Sequence, residues 1–365
     1  MAAEVNETLA FAVVALPFLA AGALALTGSW GVGGLINAAC ATLLFLLSCW
    51  LPWDVQGNLV RLTAFIAMTT SWYVARDADE PPRLHRIACP ALVGAIVIAL
   101  LATEAIVIWA ALVIAVVAAT AIVDTTPVAQ RLLLSCGTGL MLALLGTLLL
   151  ERAPMPATLF LLLGYGGVAG LVPLHAWLVD AAAEAPSPGA LLVSVLLPNA
   201  PLLIFMRLQT EAAPPLLMAL GLFSLLCGSA LMFVRRDPRQ AVALYGVAQF
   251  GLIECGIGLG ISATPRLIAM LALARAALLQ CRDSGPTHYA ALLATALLPL
   301  FAFYLLAEPA AARSGWLLLP LGLGAMLTTS ALPRAVSAPT TRSRLILLSP
   351  IWLQVALVLV LAVIQ

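Results

Sequence analysis

The sequence predicts an all-α polytopic membrane protein of about fourteen transmembrane helices, and three observations carry that reading. Hydrophobic residues make up 63% of the 365 positions and charged ones only 9%, with a mean hydropathy of +1.11. Apolar runs of about 20 residues, the length that crosses a bilayer, recur from one end to the other. All 17 basic residues are arginine, and most of them gather at alternate ends of those runs. A net charge of +1 and the lack of a basic run exclude nucleic-acid binding.

Taken in order, and bounded by charges, Gly or Pro, the first six spans fall at 8–27, 30–52, 57–75, 86–102, 105–123 and 129–150. The start MAAEVNET is acidic, unlike a cleaved signal peptide, so 8–27 is expected to be a retained first helix. The seventh and eighth spans are 157–172, with a broken end, and 188–208; the last six are 213–234, 240–262, 265–281, 286–307, 315–332 and 344–364. The chain reads as one transmembrane domain: N-terminal helices at 8–75, a block at 86–208, a block at 213–332, and a last helix at 344–364. The longest loops, 76–86 and 333–344, are too short to fold alone.

Arginine placement tests the span count independently. With the N-terminus outside, eleven arginines (Arg76, Arg83, Arg86, Arg131, Arg235, Arg236, Arg239, Arg282, Arg334, Arg342 and Arg344) face inward. Four (Arg152, Arg207, Arg266 and Arg313) face outward. That asymmetry fits the positive-inside rule and predicts a cytoplasmic (inner) membrane protein with both termini on the outer, periplasmic side. The seven cysteines stand singly in apolar runs, without CxxC or Cys/His pairing, and read as packing residues; no metal or cofactor is expected.

The chemistry-bearing residues concentrate between Gly164 and Arg207. An apolar helix meets Pro173, which has no N–H to give the preceding turn. A polar patch of His175, Trp177, Asp180 and Glu184 follows, then a Ser187-Pro188 restart suited to a helix start. The second apolar helix is interrupted at Pro198-Asn199-Ala200-Pro201. A broken helix at membrane depth is tolerated only where neighbours or a hydrated cavity satisfy its backbone, so this segment reads as part of an ion path. The plainer reading is an interfacial loop anchored by Trp177.

These residues carry a resemblance. Val172-Pro-Leu-His-Ala-Trp-Leu-Val-Asp-Ala181 with Ala185-Pro186-Ser187 resembles the signature of the antiporter-like membrane subunits. That family covers subunits of respiratory complex I, of group 4 membrane-bound hydrogenases and of multisubunit cation/proton antiporters. Its pattern is P-x-H-x-W-L-P-D-A followed by A-P-T; here Val179 replaces the proline and Ser187 the threonine. Asp237-Pro-Arg-Gln-Ala-Val-Ala243 with Val247-Ala-Gln-Phe-Gly251 resembles the family's D-x-K-R-x-x-A-Y-S-S-x-x-H-x-G. Leu298-Pro-Leu-Phe-Ala-Phe303 resembles its L-P-P-F-G-x-F. The resemblance covers residues 86–307 and implies two inverted five-helix repeats with discontinuous seventh and twelfth helices, broken at Pro173 and Pro299.

The departures from that family bear most on function. The resemblance implies a relay of a glutamate in the fifth helix, lysines in the seventh and eighth, a histidine in the tenth and a lysine in the eleventh. Here those positions hold Ala110, Val168, Asn199, Gln249 and Arg275; Ala307 and Glu308 stand where the twelfth helix would carry its ionisable group. Burial tunes a lysine toward neutrality, whereas alanine, valine and asparagine cannot titrate and arginine holds its proton.

The ionisable groups left within spans are Arg61, Glu254 and Arg275. They read either as a residual path, Glu254 carrying protons and Arg275 tuning it, or as an internal ion pair of Glu254 with Arg275 or Arg61. The leading expectation is a structural or coupling subunit of a complex I-like or hydrogenase-like assembly. Its partners would be other membrane subunits and the lipid bilayer, with quinone or iron–sulfur cofactors only in partner subunits. The alternatives are an active proton channel or cation/proton antiporter running through Glu254 and His175, and a membrane partner for inorganic-carbon uptake.

Overall fold

A computed structural model describes residues 2–27, 30–75, 82–123, 126–184, 189, 192–207, 213–235, 237–280 and 286–336. The expected span 344–364, the Ser187-Pro188 restart, and Arg76, Arg236, Arg282, Arg342 and Arg344 lie outside them. The described residues form fourteen α-helices, one π-turn and one 3-10 turn. The first seven helices are α1 (Ala2–Leu26), α2 (Trp30–Ser48), α3 (Val55–Ala75), α4 (Arg83–Leu101), α5 (Ala105–Val123), α6 (Thr126–Leu149) and α7 (Pro154–Ala169). After α8 (Ala176–Glu184) come the π-turn Leu192–Leu196 and α9 (Asn199–Arg207). The rest are α10 (Ala213–Val234), α11 (Pro238–Gly258), α12 (Thr264–Gln280), α13 (Pro286–Arg313) and α14 (Leu318–Val336).

By length and composition, eight of the described helices can cross a membrane, and three shorter apolar helical stretches accompany them. The spans read at 105–123 and 213–234 are met residue for residue, because charged or proline-flanked ends bound both runs. Helix ends are also signalled locally. Asp237 caps α11, its carboxylate accepting from the Arg239 N–H at 3.0 Å, with Pro238 opening the helix. The Asp54 carboxylate accepts the Gly57 N–H at 2.7 Å at the start of α3.

Helices α1–α4 pack together at one side, and α4, α5, α6 and α7 follow as neighbours in chain order. On the other side α10, α11, α13 and α14 form a second group. Between them, α11 touches α8, α9, α10, α12, α13 and α14 and is almost wholly enclosed, while the π-turn touches α3, α4, α8, α9 and α12. With little hydrophobic driving force between helices in lipid, small residues let backbones approach. A Cβ on Gly164 would lie 2.5 Å from the Gly139 carbonyl oxygen across the α6–α7 seam. One on Gly221 would lie 2.6 Å from the Gly251 oxygen across α10–α11.

One expectation is overturned here. Pro299 does not interrupt its helix; α13 runs through it without a break. Proline withholds the N–H that the carbonyl four residues back requires, and that carbonyl belongs to Thr295. The hydroxyl of Tyr245, fully buried on α11, donates to the Thr295 carbonyl and replaces the missing backbone donor. Without such a donor, an orphaned carbonyl at this depth favours opening the helix.

Candidate functional site at the broken helix

The break at Pro173 is present. Helix α7 ends at Ala169, and Gly170 takes a left-handed conformation at φ 76° that a side chain would resist. The Leu171 N–H reaches the Gly166 carbonyl at 2.8 Å and the Gly170 N–H reaches that of Gly167 at 3.2 Å, the paired bonds of a Schellman ending. Trp177 then donates its indole N–H to the Gly167 carbonyl at 2.8 Å, and the Val172 N–H reaches Ser224 Oγ on α10 at 3.2 Å. The break is therefore held by protein groups. The crevice beside it is lined by Leu162, Gly166, Leu171, Pro173, Leu174 and Leu220, which offer no ionisable side chain to an ion.

This corrects the reading of Trp177 as a surface anchor: its side chain is 0% exposed and ties α8 back to α7. His175 sits half-buried in the turn between α7 and α8, with Nδ1 buried and unpartnered. Asp180 pairs with Arg131 of α6 at 2.6 Å near the surface, and Glu184 is exposed at the end of α8, where Arg239 caps the Ala183 carbonyl at 3.2 Å. Downstream, Pro198 occupies the turn between the π-turn and α9, a second interruption where the sequence placed one. Pro201 falls in the first turn of α9, where a missing N–H leaves no carbonyl unserved.

The remaining intramembrane ionisable groups do not meet. Arg61 turns toward the end of α2, its guanidinium donating to the Leu51 carbonyl, to the Pro52 carbonyl at 3.0 Å and to Asn58 Oδ1 at 2.5 Å, and stacking 4.1 Å over Trp53. It snorkels to a helix end instead of occupying mid-depth. Glu254 is 0% exposed on α11 and neither carboxyl oxygen has a hydrogen-bond partner, so its expected ion pair with Arg275 or Arg61 is absent. Arg275, on α12, packs its guanidinium 4.1 Å over the Phe250 ring and reaches the Ser194 carbonyl of the π-turn at 3.5 Å. Phe250 lies one turn before Glu254 on the same face of α11 and keeps the two charges apart.

The positions that the resemblance sets against a relay are mostly buried. Val168 and Gln249 are 0% exposed and Asn199 is 1%, while Ala110 is exposed on α5. Both side-chain polar atoms of Asn199 and of Gln249 lack partners. Tyr245, Phe250 and Ser194 complete this polar interior and were not singled out from sequence. Their signal is faint, since an aromatic residue and a serine inside apolar helices look like ordinary packing.

Comparison with known proteins agrees with this geometry. Residues 132–284, which hold the broken helix, Asn199, Gln249, Glu254 and Arg275, match the family described as NADH:quinone oxidoreductase/Mrp antiporter, transmembrane. The match takes in about two fifths of the chain and both interruptions of the broken segment. Among curated relatives, the Hydrogenase-4 component F homolog of Methylacidiphilum infernorum is 26% identical over 315 residues, covering 69% of this chain and 66% of its own length. NADH-quinone oxidoreductase subunit N of Halorhodospira halophila is 32% identical over 111 residues, 28% of this chain and 23% of the relative. The chain therefore spans under two thirds of either relative.

Solved structures show the same fold. A chain of the membrane-bound sulfane sulfur reductase, an archaeal respiratory membrane complex, superposes with a TM-score of 0.83 at 13% identity, covering 97% of this chain and 94% of the other. Respiratory complex I from Thermus thermophilus gives 0.78 at 15% identity, with 96% of each chain covered. The Mrp complex from Dietzia sp. DQ12-45-1b gives 0.78 at 15% identity, with 93% and 82% covered.

Proposed function

We propose that this antiporter-family chain is a coupling or structural subunit in the membrane arm of a redox-driven, complex I-like or hydrogenase-like assembly, and that its own proton path is degenerate. The observation that carries this is the mismatch between scaffold and contents. The helix break is built and held by protein hydrogen bonds, while Val168, Asn199 and Gln249 fill the buried positions where the family's relay titrates. Partner subunits would supply any redox chemistry. The arginine asymmetry supports an inner-membrane location with both termini outside.

One observation favours a second reading, active transport by a rerouted path: Glu254 is buried and unpaired, so no ion pair holds its charge state fixed. The two readings separate on Glu254→Gln in the chain assembled with its native partners and reconstituted in vesicles. Under the degenerate-path reading, proton uptake driven by the complex stays within twofold of wild type. A fall of tenfold or more, with assembly intact, rejects that reading in favour of transport through Glu254.

A further inference from the structure

Arg275 is 3% exposed in the middle of α12, where an arginine is unfavourable unless paired or hydrated. Its two hydrogen bonds are long, 3.4 Å from Nε to the Leu271 carbonyl and 3.5 Å from Nη1 to that of Ser194, against five N–H donors on the group. No carboxylate among the described residues lies within ion-pair distance of it. The elements around it explain why. Neither α3, α12 nor the π-turn carries an acid, and the acids of α8 are taken up elsewhere: Asp180 by Arg131, Glu184 at the exposed helix end. Glu254 stands eight residues along α11 from Gly246, about 12 Å by helical rise, with Phe250 between them.

The guanidinium also faces a space. A cavity of about 230 Å³, mouth included, is lined by Leu178 and Ala182 of α8, Ser194 of the π-turn, Val242 and Gly246 of α11, and Arg275 itself. Room for the guanidinium comes from Gly246, where an added Cβ would sit 3.2 Å from both Cδ and Nη1 of Arg275. Counted along the family pattern quoted above, a serine stands at position 246, so glycine and arginine depart together. The result is a fixed cation with no described carboxylate beside it, set against a small, partly open apolar pocket.

We infer that this cavity is a binding site for a small monovalent anion, of chloride or bicarbonate size, with Arg275 as the recognising group. The anion supplies the counter-charge that no described side chain provides, and the Leu, Val and Ala walls limit the water that would otherwise screen it. The site stands apart from the question of proton flow, since Arg275 keeps its charge throughout.

The test uses the full chain in nanodiscs prepared without halide, followed by tryptophan fluorescence during thermal unfolding. Gluconate is replaced by chloride in one arm and by bicarbonate in another, at constant ionic strength. A saturable rise in Tm of a few degrees is expected with one or both small anions and none with gluconate. That rise should be lost in Arg275→Gln. Equal responses in wild type and Arg275→Gln, or a Tm indifferent to anion identity, overturn the inference. Should Arg275→Gln fail to fold, bromide density in a wild-type structure decides: a peak in the cavity beside Arg275 supports the site, and its absence at saturating bromide rejects it.

Discussion

Substituting Tyr245 by phenylalanine removes one oxygen and leaves the ring in place. What it takes away is the donor serving the Thr295 carbonyl, whose ordinary helical partner would be the N–H of residue 299, a proline. Thr295 is 2% exposed, so water cannot replace the lost donor. An unsatisfied buried acceptor costs about 1–3 kcal/mol, and Tyr245→Phe is expected to lose that much stability. Pro299→Ala restores the backbone N–H. In that background Tyr245→Phe leaves no orphan and is expected to cost less than about 0.5 kcal/mol, giving a coupling of roughly 1–2 kcal/mol between the two positions. The cycle is measured by denaturant unfolding of the four proteins in one detergent or nanodisc preparation. If Tyr245→Phe costs the same with proline or alanine at 299, the hydroxyl is not what holds α13 together, and the account of its continuity fails.

Four further outcomes follow from geometry. Trp177→Phe strips the indole N–H from the Gly167 carbonyl inside the protein and should lower stability by about 1–2 kcal/mol in the same assay. Gly164→Ala places a Cβ 2.5 Å from backbone atoms of Gly139 and Ala143, forcing α6 and α7 apart at a loss of about 2–3 kcal/mol. Gly137→Ala, with nothing within 4 Å, should be neutral or stabilising by up to about 1 kcal/mol. Arg131→Ala breaks an ion pair whose arginine is 61% exposed, so the loss should stay below about 1 kcal/mol and shrink as salt is added.

The spans at 105–123 and 213–234 and the Pro173 and Pro198 interruptions are legible because each depends on residues within a few positions. Proline withdraws a donor from its own helix, and apolar length is counted locally. The corrections share the opposite character. Continuity at Pro299 depends on a tyrosine 50 positions before Thr295, and the burial of Trp177 on a carbonyl of the preceding helix. The separation of Glu254 from Arg275 depends on Phe250 filling the space between two helices. For Arg61, position within a span is not depth: its long side chain reaches the helix end from the second turn of α3.

The glycine seams bear on how this chain tolerates change. Gly139 and Gly146 on α6, Gly221 and Gly228 on α10, and Gly251 and Gly258 on α11 recur seven residues apart, and at each an added methyl meets a neighbouring atom at under 3 Å. A saturation-mutagenesis map scored for folding should therefore look inverted relative to that of an enzyme. Positions 168, 199 and 249, which the resemblance sets against a relay, should accept many side chains of similar volume. The intolerant columns should be residues with no side chain at all, spaced by heptads along two helix pairs.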